Sequence, residues 1–137
     1  GREATNFTYT LEDGTQGELY DIKANYTILM FSNPECPLCG EIMRQLASSQ
    51  LLSALMQHKV LEVLTVYPDE DIEHWRKYLG NIPSEWIRAY DKGQILSKER
   101  LYNLSAIPAL YLLDRDKRVL IKDGTSVADI ERLLMSK

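Results

Sequence analysis

The spacing of apolar residues changes along the chain, and it predicts alternating strands and helices. Residues 7–11 (Phe-Thr-Tyr-Thr-Leu) alternate with period two and stop at Asp13-Gly14, a turn signal, which predicts a first strand. Residues 26–31 (Tyr-Thr-Ile-Leu-Met-Phe) are apolar apart from Thr27. They are bounded by Asn25 and by Ser32-Asn33-Pro34, which predicts a buried central strand. Residues 60–66 predict another.

A helix is expected from Pro37, since proline suits a first turn where a missing N–H costs nothing. Leu38, Ile42, Leu46 and Leu52 or Leu55 recur at helical spacing and are its expected apolar side. A second helix is predicted over about 69–79, opened by Pro68-Asp69 and closed by Gly80, with the acidic run 69–71 in its first turn. Residues 82–104 predict a short strand over 86–90 and helix over 94–102. Residues 109–113 and 118–122, joined by a polar turn at 114–117, read as a hairpin. A closing helix over 126–135 has Ser126 as its cap and Val127, Ile130, Leu133 and Leu134 as its apolar side. The pattern predicts an α/β fold of one domain over residues 1–137.

Composition removes several classes. The net charge is −4, against the basic field a nucleic-acid surface needs, so no nucleic-acid partner is expected. The apolar runs fall well short of the ~20 residues that span a bilayer as a helix. The chain starts at Gly1 with neither a Met nor a leader, which reads as a mature or excised domain of a longer exported protein.

The chain has two cysteines, Cys36 and Cys39. A bridge between them closes too small a loop to constrain the unfolded chain much, so their use is chemical rather than architectural. They fall where a strand gives way to a helix. The first turn of a helix offers free N–H groups and the positive end of its dipole, both of which favour thiolate. Thiolate is the nucleophile of disulfide exchange, so Cys36 is expected to attack and Cys39, further into the helix and more buried, to resolve. Zinc would need a second ligand pair, and His58 and His74 lack finger spacing. Trp75 and Trp86 fit core packing better than a groove, and His74 is expected on an exposed helix flank.

The second signal is Ile107-Pro108 at the start of a later strand. Proline is tolerated at a first strand position without any role. Alternatively the bond is cis and faces the cysteines, turning the backbone of residue 107 toward an extended substrate.

Taken together, strand-Cys-x-x-Cys-helix, Ile-Pro before a terminal hairpin and a closing amphipathic helix resemble the thioredoxin superfamily. The opening, residues 7–14 with Leu19-Tyr20-Asp21, is similar to its extracytoplasmic, membrane-anchored reductase branch, related to cytochrome-maturation thioredoxins. The resemblance implies a central mixed sheet flanked by helices, an N-terminal β extension and an inserted segment before a cis-Pro108 strand. It implies catalytic Cys36 and Cys39, with Pro37, Leu38, Ile107 and Pro108 contacting substrate. It implies no cofactor beyond the Cys36–Cys39 disulfide, and no metal. Protein thiols and disulfides would be the partners, with a thiol electron donor. The protein would be a monomer in the bacterial periplasm, with any membrane tether outside these residues.

The sequence departs from the family in four places. Glu35 stands where Trp is usual before the first cysteine, and Pro37-Leu38 replaces the common dipeptides. Met30 stands where cytoplasmic thioredoxins bury an Asp. Ile42 occupies the place of a Glu common in the anchored branch, and adjacent Glu41 is expected to point elsewhere. No acid is thereby assigned to take the Cys39 proton. Glu35 and Glu41 would oppose thiolate by like charge, so a modestly lowered Cys36 pKa is expected, and a reductant or isomerase rather than a strong oxidant.

Peroxide reduction would need Thr where Asn33 stands, and copper delivery a wider cysteine spacing and a distal His. A non-catalytic or metal-handling interaction domain is the alternative, and the intact cysteines with Ile-Pro weigh against it.

Overall fold

A computed structural model describes residues 1–122 and 126–137. Seven strands form one sheet in the order β2-β1-β5-β4-β3-β6-β7. They are β1 (Thr8–Leu11), β2 (Gln16–Glu18), β3 (Tyr26–Phe31), β4 (Leu61–Tyr67), β5 (Ile87–Tyr90), β6 (Ala109–Asp114) and β7 (Val119–Lys122). The helices are α1 (Pro37–Ser48), α2 (Gln50–Gln57), α3 (Ile72–Tyr78), α4 (Ile95–Lys98) and α5 (Val127–Met135). This is the expected mixed sheet flanked by helices.

β3 lies inside the sheet next to the middle strand β4, parallel to β4 and antiparallel to β6. Covered on both faces, it reads as a continuous apolar run. Ile28 and Met30 face a core shared with α1, α2, α3 and α5, including Cys39, Ile42, Leu46, Trp75 and Ile130. Leu29 and Phe31 face a second core with Phe7, Leu96, Ala109 and Tyr111. The pleat thus sends alternate residues of one strand into two cores. Trp75 and Trp86 are both buried, as their core reading expected.

The N-terminal extension is β1 paired with β2, set on the sheet beside β5. Gly14 closes that hairpin at φ +88°, a left-handed position where glycine carries no Cβ penalty. β2 has no apolar pattern and was not predicted. Its Gly17 lies across from Tyr9, where an added Cβ would come within 2.7 Å of the Tyr9 hydroxyl.

Other expectations are corrected. The first helix is two: Ser49 ends α1 with extended backbone and caps α2 by accepting the Leu52 N–H. Its hydroxyl donates to Glu131 of α5, 2.7 Å away, tying the break to the closing helix. Leu38 is not on the buried side; it is 51% exposed, and Cys39 and Met43 take the inner positions. The second helix starts later than predicted, at Ile72, because Asp71 rather than Asp69 accepts the N-terminal N–H, that of His74. The helix expected over 94–102 shrinks to α4. Gln94 enters it in a left-handed conformation, and Arg100 leaves it at φ +53°. Leu101 N–H bonds back to the Leu96 carbonyl and Arg100 N–H to Ser97, a Schellman closure with arginine at the usual glycine position. Ser126 does cap α5, accepting the Asp129 N–H.

Candidate active site

The site is built where β3 gives way to α1. Ser32 N–H still bonds the Val66 carbonyl of β4, so the chain leaves the sheet only after it. The Asn33 side chain then accepts the Glu35 N–H and its carbonyl accepts the Cys36 N–H, a local turn that turns the chain into the helix. Cys36 is the N-cap of α1 and Pro37 occupies the first turn.

Cys36 and Cys39 form a disulfide with Cα atoms 5.2 Å apart. Cys36 is partly exposed, whereas Cys39 is fully buried in the α1-side core. The Cys39 N–H points at Cys36 Sγ from 3.1 Å. Once the bridge is reduced, that donor and the helix dipole favour negative charge on Cys36. Cys39 has no such exposure and sits in the apolar core beneath α1.

The Ile107–Pro108 bond is cis. The Ile107 carbonyl oxygen lies 3.8 Å from Cys36 Sγ. Pro108 is buried and Ile107 half-buried between the two cores. Exposed Pro37 and Leu38 flank the sulfur on the helix side. Of the four positions expected beside the cysteines, Pro37 and Leu38 follow Cys36 in α1, and Ile107, next to Pro108, faces its sulfur from the segment entering β6.

The charged neighbours differ from the sequence reading. Glu41 pairs with Arg44, whose hydrogen bond holds its carboxyl below the usual range, so its charge has a partner on its own helix. Glu35 is exposed, and its Oε1 is 3.5 Å from Nε2 of His74 on α3. His74 is therefore not a free surface histidine. It joins Asn33, Pro34, Glu35, Tyr67 and Asp69–Asp71 in lining a cavity of about 220 Å3 beside Cys36. Burial, then the charges of Asp69 and Asp71, raise the Tyr67 pKa. Glu35 and His74 are far apart in sequence, and no spacing rule links them.

Met30 is fully buried and brings no titratable group under α1. Its cross-strand neighbour is Thr65, whose hydroxyl pairs with that of Ser32 at 3.1 Å. A neutral hydroxyl pair occupies this part of the sheet, and sequence reasoning had not singled it out. Among the described residues no group of three or more His, Cys, Asp or Glu could hold a metal ion, and no helix is long and apolar enough to cross a membrane.

A partly exposed cysteine at a helix start is thus backed by a buried partner and faced by a cis-proline segment. The profile of the thioredoxin-like family matches residues 24–119. The chain belongs to the thioredoxin-like family. A crystal structure of a thioredoxin-like protein from Bacteroides caccae ATCC 43185 is 46% identical, with a TM-score of 0.96, over 99% of this chain and 49% of that one. The C-terminal domain of a Bacteroides fragilis NCTC 9343 protein is 41% identical, with a TM-score of 0.94, over 98% of this chain and 96% of that one. The thiol-disulfide oxidoreductase ResA of Bacillus thuringiensis (strain Al Hakam) is 27% identical over 120 residues, which are 88% of this chain and 66% of that protein. The chain therefore spans about two thirds of that curated relative. In this thioredoxin-like chain, the fold sets the disulfide at the α1 start and the cis-proline segment against it.

Proposed function

We propose that this thioredoxin-like domain is a thiol–disulfide oxidoreductase in which Cys36 attacks and Cys39 resolves. The observation that carries the assignment is the asymmetry of the pair: Cys36 is reachable from solvent and Cys39 is fully buried. In the reduced protein, the Cys36 thiolate attacks one sulfur of a partner disulfide. A Cys36–partner disulfide forms, and the other partner sulfur leaves as thiolate and takes up a proton. Cys39 then loses its proton and attacks Cys36 Sγ. The intramolecular disulfide forms and the second partner thiol leaves. The partner gains two electrons and the domain loses them, and an external dithiol returns them.

Exposed Pro37 and Leu38 and the Ile107–Pro108 segment are the surfaces that contact the partner chain. The redox centre is the disulfide itself and needs no bound cofactor. The name of the ResA relative supports protein thiols and disulfides as partners. The resemblance of the opening residues to the extracytoplasmic reductase branch supports a domain that works outside the cytoplasm, as a reductant or isomerase, with residues 1–137 acting as one unit.

Reduction of insulin disulfides by dithiothreitol tests the reading. The protein accelerates precipitation of the insulin B chain, and Cys36→Ser abolishes the acceleration. Equal rates with and without folded wild-type protein contradict it.

A further inference from the structure

His74 is a titratable group set against the loop that carries the reactive cysteine, and the exchange chemistry leaves it unused. Its Nε2 is buried and has no hydrogen-bond partner among the described residues, yet it sits 3.5 Å from Glu35 Oε1. Glu35 immediately precedes Cys36 in the chain, and its peptide N–H is fixed by Asn33. The groups around the imidazole are one-sided. Glu35 faces it from the loop before α1, Tyr67 from the end of β4, and Asp69, Glu70 and Asp71 from the loop before α3. Glu73, Arg76, Lys77 and Tyr78 share its helix, Arg76 pairing with Glu73, and neither lysine nor arginine lines the cavity. On the α1 side, Arg44 is engaged by Glu41.

We propose that His74 is a positioning residue for Cys36, acting through Glu35: as imidazolium it pairs with the Glu35 carboxylate and offsets the like charge that opposes a thiolate one residue away. The inference rests on Cys36 being the attacking cysteine. Two carboxylate-bearing loops converge on the same point, Glu35 before α1 and Asp69, Glu70 and Asp71 before α3. Histidine as a residue type changes its charge between about pH 5 and 8, so a contact between histidine and a carboxylate is strongest on the acid side of that range. Once His74 is neutral, Glu35 acts on Cys36 unopposed. The pair makes Cys36 more reactive at acid pH than a single thiol titration allows.

The test is the rate of alkylation of Cys36 by iodoacetamide, from pH 5.5 to 9, in a Cys39→Ser background where Cys36 is the sole thiol. No partner disulfide is involved, so the result is separate from the insulin assay, which alone decides the oxidoreductase reading. His74→Gln is expected to slow alkylation about two- to threefold near pH 6, the size of an interaction between largely exposed charges. Above pH 8 the two profiles converge. His74→Lys keeps a cation throughout and holds the acid-side rate at or above that of His74. Coincident profiles for His74 and His74→Gln, a parallel displacement at every pH, or a His74→Lys profile that matches His74→Gln overturns the proposal.

Discussion

Cys36 Sγ lies 3.8 Å from the carbonyl oxygen of Ile107, a residue 71 positions later in the chain. The contact sets the partly exposed sulfur against the backbone of the segment entering β6, the segment proposed above to meet the partner chain. It also separates two kinds of change. The carbonyl belongs to the backbone and survives side-chain replacement, whereas the apolar collar around the sulfur does not.

Leu38 is the exposed part of that collar, at 51% exposure. Leu38→Glu is therefore expected to leave the thermal midpoint nearly unchanged, since exposed substitutions fall within about 0.5 kcal/mol. It should raise the KM for a protein disulfide several-fold, because a buried leucine contact is worth about 1.5–3 kcal/mol when fully made. Steady-state insulin reduction together with thermal unfolding checks this. A lowered midpoint with unchanged KM would place Leu38 in the fold rather than at the substrate.

Thr27 sits fully buried in β3, and its hydroxyl has no hydrogen-bond partner among the described residues. Thr27→Val removes the polar atom at nearly constant shape and keeps a β-branched residue in a central strand. Stability should rise by about 1–2 kcal/mol, the penalty attached to an unpaired buried hydroxyl. Urea denaturation measures it. A loss of stability would mean that the hydroxyl is satisfied by an ordered water.

Asp91 supplies a pH test. It is buried, and its Oδ2 accepts the Leu96 N–H at 2.8 Å. Burial holds its carboxyl above the ordinary range, against hydrogen bonds from Leu96 and Ile95 that pull it down. The folded protein thus keeps this proton at pH values where the unfolded chain has lost it. Stability from this group is present below about pH 4 and declines as pH rises through the raised folded value. Asp91→Asn retains an oxygen for Leu96 and has no such proton to lose. Its stability relative to wild type should improve between pH 4 and pH 7, read from denaturant midpoints. A relative stability that is flat or falls over that interval would contradict the sign.

Much of this was legible in the sequence wherever one local rule decided the outcome. The central strand over 26–31 has the predicted bounds, because a run of apolar residues closed by Asn and Pro admits few alternatives. The helix start at Pro37, the Ser126 cap and the β6–β7 hairpin were equally local. What was not legible depended on tertiary choices. β2 owes its place to pairing with β1, not to its own polar sequence. Ser49 breaks a helix that periodicity alone would continue, because α5 provides Glu131 for its hydroxyl. Arg100 adopts a conformation typical of glycine, so no residue type announced the end of α4. At the site, Cys36, Cys39, Ile107 and Pro108 were all recognisable from type and order. The meeting of Glu35 with His74 was not, since it arises where α3 packs beside the loop before α1.

The division of labour between the two cysteines is tested most directly by trapping. Reduced Cys39→Ser is mixed with an oxidised protein substrate such as insulin, quenched with acid and mapped by peptide mass spectrometry. The account predicts a stable mixed disulfide on Cys36, with no comparable adduct on Cys39 in the reciprocal Cys36→Ser protein. An adduct that accumulates on Cys39 of Cys36→Ser, with none on Cys36 of Cys39→Ser, would contradict it.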